Sequence, residues 1–73
     1  MSDKHNGWTK YHIITKHGGW KFFREGMKRS ITTNQDRNVV IKESLYKVAH
    51  NGGLLVVHYS DGTVDFVVDN WIG

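Results

Sequence analysis

Cysteine and proline are both absent from these 73 residues. Without cysteine there is no disulfide staple, no thiolate metal site and no thiol nucleophile, a usage compatible with a reducing compartment. No apolar run approaches the roughly 18 residues of a membrane span. The N-terminus MSDKHNGWTK has no apolar core of secretory-signal type. The expectation is a soluble, cytoplasmic protein without a membrane partner. Base is missing from one stretch: residues 51–73 hold Asp61, Asp65 and Asp69 and no Lys or Arg, a balance of −3. Residues 1–50 hold all ten Lys and Arg against four acids, a balance of +6. A basic half attracts phosphates or an acidic protein, and it argues against mimicry of the DNA backbone. A chain this short buries only about 60% of its unfolded surface and forms one domain, 1–73. It has little interior for a pocket of the roughly 300 Å3 that small-molecule sites use, so no small-molecule substrate is expected.

What is present organises around Thr33–Gly53, TNQDRNVVIKESLYKVAHNGG, the segment with helical periodicity. At 100° per residue Val40, Ile41, Ser44, Leu45 and Val48 share an arc of about 140°. Thr32 or Thr33 is the expected N-cap, with Gln35 or Asp36 three residues on. Asn51-Gly52-Gly53 supplies the left-handed residue that ends the helix.

The flanking runs read as strands: Tyr11–Lys16, Trp20–Arg24, a short Lys28–Thr32, Leu54–Tyr59 and Thr63–Val68. His17-Gly18-Gly19 and Asp61-Gly62 are turn signals, the second a strong hairpin marker. Residues 1–9 read as a loose arm, 11–68 as the folded core and 69–73 as a tail. The expected fold is α+β: a small antiparallel sheet in the order β-β-(β)-α-β-β, with one helix across one face.

Strand alternation divides the sheet residues in two. Tyr11, Ile13, Thr15, Trp20, Phe22, Leu55, Val57, Tyr59, Val64, Phe66 and Val68 are almost wholly apolar and should carry the helix. His12, Ile14, Lys16, Lys21, Phe23, Leu54, Val56, His58, Asp65 and Val67 form a second face that no helix remains to cover. That face is too apolar to be left in water. It is the expected binding face, with His12, Ile14, Lys16, Lys21, Phe23, Val56 and His58 as its site residues. Arg24, Lys28, Arg29, Tyr46 and Trp71 are candidate secondary contacts, and Trp8 and Trp71 are candidate lids or anchors.

The combination His12-Ile13-Ile14, Gly18-Gly19-Trp20, Glu25-Gly26, the helix, Leu55-Val56-Val57-His58 and Asp61-Gly62 resembles a family of short bacterial and phage proteins grouped as a domain of unknown function. Its pattern is His-Val-Val-Pro, Gly-Gly-Trp, a Glu-Gly turn, a helix, Leu-Val-Ile-His and an Asp-Gly turn. The likeness covers roughly residues 11–68. Thr15 stands where the family has proline, and the helix is less alanine-rich than the family's. The resemblance supports the fold and carries no activity with it.

His12 and His58, with Asp65 as a third donor, are the best metal set, but no local His spacing fixes a pair, and neither a metal nor a cofactor is expected. Ser30, Ser44 and Ser60 lack a nucleophile-elbow context, and no catalytic residue is assigned. His17 before Gly-Gly is faintly similar to the catalytic loop of small mRNA-cleaving toxins, although those begin with a helix. Lys16, Lys21, Phe23, His12 and His58 interleave bases with rings, which keeps single-stranded nucleic acid (RNA) as an alternative ligand. Association with a protein, or with a second copy, explains the aliphatic excess best. The expected function is a non-enzymatic adaptor or inhibitor-type module.

Overall fold

The β-branched and aromatic runs form strands and the amphipathic run forms a helix in a computed structural model that describes residues 9–70. In chain order the elements are β1 (Lys10–Lys16), β2 (Gly19–Arg24), β3 (Ser30–Asn34), α1 (Arg37–Asn51), β4 (Gly53–His58) and β5 (Val64–Asn70). They build one five-stranded sheet in the order β3-β2-β1-β4-β5, an α+β fold with the helix across one face. Trp8 and Trp71, and with them any lid they form, lie outside the described residues. Asp69 and Asn70 extend β5 rather than a tail.

The sheet is mixed, not wholly antiparallel. β1 pairs antiparallel with β2, but it pairs parallel with β4 in the register Tyr11 with Leu55 and Ile13 with Val57. The reason is counting: β2, β3 and α1 reverse the chain an even number of times with the final turn, so β4 re-enters in the direction of β1. This seam lies at the centre of the sheet. Tyr11, Ile13, Phe22, Leu55 and Val57 meet Val40 and Val48 there, with Trp20, Ile41 and Val68 packed around them.

α1 is capped by Asp36, whose carboxylate accepts from the Asn38 amide at 2.9 Å. The cap is four residues later than Thr32 and three later than Thr33, because β3 continues to Asn34 and absorbs both threonines. Gly52, at φ 76°, ends the helix and donates to the Val48 carbonyl at 2.8 Å. Asn70 of β5 donates to the same carbonyl at 2.7 Å and ties the helix end to the sheet edge.

The buried stripe is narrower than the apolar arc. Val40, Ser44 and Val48 are buried, and the Ser44 hydroxyl donates to the Ile41 carbonyl. Leu45 is 38% exposed and Phe66 37%. The helix packs over β2, β3 and β4 and leaves β5 at the rim. Its Ile41–Leu45 flank and the helix side of β5 are therefore only partly covered.

The β1–β2 hairpin turns on His17 and Gly18, both at positive φ (54° and 81°), as a two-residue hairpin turn with the twist of its strands requires. The β4–β5 turn is longer. Gly62 donates to Tyr59 and Tyr59 to the Thr63 carbonyl, while Asp61 accepts from both the amide and the hydroxyl of Thr63.

Candidate functional site

The face opposite α1 is built by register. His12 lies between Phe23 on β2 and Val56 on β4, Val56 opposes Val67 on β5, and Ile14 opposes Lys21. Leu54 lies between Lys10 and Asp69. Among the described residues no helix or strand lies over this face. Its charges are segregated. Lys16 and Lys21 stand at the end where β1 finishes, whereas Asp69 and Glu25 stand at the end where β1 begins, next to Lys10. Phe23 is held between two partners: the His12 ring stacks on it with centroids 5.5 Å apart, and the Lys21 ammonium lies 5.0 Å from its centroid.

His12 and His58, 46 residues apart, do meet. His12 Nδ1 lies 3.0 Å from His58 Nε2, and the rings are stacked. On the outer sides, His12 Nε2 is 2.6 Å from Glu25 Oε1, and His58 Nδ1 is 3.0 Å from the Gly62 carbonyl. The hydrogen bond from His12 holds the Glu25 carboxyl below its ordinary range; partial desolvation opposes this and the Lys10 charge adds to it. The chain Glu25–His12–His58–Gly62 thus joins the β2–β3 turn, β1, β4 and the β4–β5 turn. Glu25 is the member that sequence reasoning missed. Glu25-Gly26 marked a turn, but only the antiparallel return of β2 brings that turn beside His12.

Asp65 does not join these histidines. The β4–β5 register shifts between Val57 and His58, so Val64 pairs with His58 and strict alternation fails. Asp65 instead accepts from Arg37 Nη2 at 2.7 Å, and Arg37 also reaches the His58 carbonyl at 3.2 Å. The Arg37 guanidinium lies 5.1 Å from the Trp20 ring centroid and 5.7 Å from that of Tyr59. Its hydrogen bond lowers the Asp65 carboxyl, and Asp65 in turn raises the Tyr59 phenol. A cation in the first helical turn opposes the helix dipole, and this carboxylate offsets it. The His12, His58 and Asp65 set, from which no metal was expected, thus does not converge.

The secondary contacts fall elsewhere. Arg24 pairs with Tyr11, on the helix side of the sheet, and lines with Arg29 and Lys47 a cleft of about 420 Å3. Lys28 is exposed in the β2–β3 turn. Tyr46 is exposed on the outer helix surface, its ring 4.3 Å from that of His50. None of these four joins the open face. A second cleft, of about 480 Å3, lies at the hairpin end beside Lys16, His17, Trp20, Lys21 and Thr33, and both clefts are open at the surface. No family model, curated protein or solved structure matches the chain.

Proposed function

We propose that the chain is a non-enzymatic binding module that lays its open sheet face on protein, and that the surface it fits best is a second copy of itself. The observation that carries this reading is the layout of the face: half-buried Ile14 and Phe23 and exposed Val67 around a buried Val56, with Lys16 and Lys21 at one end and Asp69 and Glu25, beside Lys10, at the other. A two-fold axis parallel to the sheet and across its strands sets the Lys16–Lys21 end of one face on the Asp69–Glu25 end of the other. Apolar centres then meet, and the lysines of each face lie over the carboxylates of the other. Catalysis has less support, because all four ring nitrogens of His12 and His58 are engaged and neither ring offers a free base to a substrate.

The test is sedimentation equilibrium with native mass measurement. A dimer is expected, with dissociation at least about tenfold easier in Phe23→Asp, whose circular dichroism stays that of the parent. Lys21→Glu should weaken the dimer as well. A chain that stays monomeric at all accessible concentrations overturns the reading. Salt-sensitive retention on single-stranded RNA by that monomer would assign the face, with the basic cleft beside it, to nucleic acid.

A further inference from the structure

The hydrogen-bonded chain across the open face has both ends in acceptors, a carboxylate oxygen at Glu25 and a carbonyl oxygen at Gly62. Three contacts run along it, at 2.6, 3.0 and 3.0 Å, and each needs one hydrogen. Two neutral imidazoles carry two ring hydrogens. One contact would then bring lone pair against lone pair. Two imidazolium ions carry four, and the contact between His12 Nδ1 and His58 Nε2 would set N–H against N–H. Three hydrogens satisfy every contact. We infer that His12 and His58 share a single extra proton, and that this proton closes a clasp over the open sheet face which opens when a second proton is added or the shared one is removed.

Glu25, as a carboxylate, balances the shared charge, so the closed clasp sits on the apolar face without a net charge of its own. The groups that face it from each strand fit this state. On β1 there is Lys10, 3.7 Å from Glu25. On β2 there is Lys21, drawn over Phe23. On β5 there is Asp69 opposite Leu54, while Asp65 is held by Arg37. In the β4–β5 turn Asp61 is occupied by Thr63. From α1, on the other side, Arg37 reaches the His58 carbonyl at 3.2 Å, its charge offset by the ion pair with Asp65. The direction of the pH response follows from proton numbers. On the acid side the open form holds four ring protons against three, so opening is favoured as pH falls. On the alkaline side it holds two against three, so opening is favoured as pH rises. The open-to-closed ratio changes by up to about tenfold per pH unit on each limb.

The clasp also regulates the face. The His12 ring is one wall of the Phe23 site, and a ring that leaves the chain releases Phe23 at the centre of the docking surface. This consequence rests on the docking reading above; the clasp itself does not.

The experiment is imidazole 15N spectroscopy across pH on the full chain, dilute enough to be monomeric. His12 and His58 are expected to titrate together in two common steps, with the Phe23 ring signals following both. In His58→Asn, His12 should revert to one step. If that variant fails to fold, Glu25→Gln in the exposed turn serves instead, and it should move the alkaline step down by roughly one pH unit, about tenfold in proton affinity. Two rings that titrate singly, each indifferent to loss of the other, overturn the clasp. Phe23 signals that ignore both steps overturn the gating. A clasp that titrates in a chain that never dimerises removes the docking reading alone, whereas a dimer of pH-independent strength removes the regulation alone.

Discussion

Gly53 is the position where one added carbon would do most harm. Its φ is 126°, a conformation L residues avoid, and a Cβ there would lie 2.5 Å from the Thr9 carbonyl oxygen. That oxygen is already fixed, accepting from the Leu54 amide at 2.9 Å. Gly53→Ala should therefore destabilise by at least about 1 kcal/mol, read as a lower urea midpoint with an unchanged slope. The sequence announced a glycine at the end of a helix; it held no sign that Thr9 would be the neighbour. Asp65 was misread for a related reason. Alternation assumes an unbroken register, and a bulge has no reliable mark in a stretch such as Thr63-Val64-Asp65. Its pairing with Arg37 has a pH consequence. A carboxyl whose folded value is depressed contributes stability that is complete above the ordinary aspartate range and is lost as pH falls through the lower folded value. Asp65→Asn should flatten the dependence of melting temperature on pH between about pH 5 and pH 2. Tyr59 acts in the opposite sense: its raised phenol contributes below the ordinary tyrosine range and loses that contribution as pH rises through the higher folded value.

At the scale of elements, periodicity located α1 and its end to within a few residues, and composition located all five strands. Which part of a wide apolar arc touches the sheet is decided by where the helix lies, and no single element encodes that. α1 leaves β5 at the rim, so Leu45→Ala should cost no more than about 1 kcal/mol, less than the 2–5 kcal/mol of a fully buried leucine. Val48→Ala, at a site with 1% exposure, should cost about 2 kcal/mol despite its smaller side chain. Thermal melts of the two variants side by side rank the sites, and a larger loss for Leu45→Ala would place the buried stripe one position round the helix. The open face was legible at this scale, because His12, Phe23, Val56 and Lys21 share a parity that no bulge disturbs between them. Glu25 was not, since a turn residue has no parity.

For the whole molecule, the uneven charge along the chain becomes an uneven charge across the sheet. The acidic β5 forms one edge, and the basic turn that holds Lys28 and Arg29 leads into the other. A dimer whose ends are matched by charge should loosen as salt is raised, and a dissociation constant independent of ionic strength would contradict the charge layout proposed for it. The parallel seam governs how the molecule assembles. β1–β2 and β4–β5 are local pairings that each close over a few residues, but Lys10 finds Leu54 and Ile13 finds Val57 only after most of the chain has been made. Closing so long a loop is entropically unfavourable before any contact compensates, which makes this pairing the slow event of folding. Folding of the two flanking hairpins should then precede it, and substitutions across the seam should speed unfolding more than they slow refolding. His12 and His58 sit on opposite sides of that seam. Their contact is among the last to form and the first to part, so the rate at which the chain unfolds, as well as its equilibrium stability, should carry the imprint of a single proton.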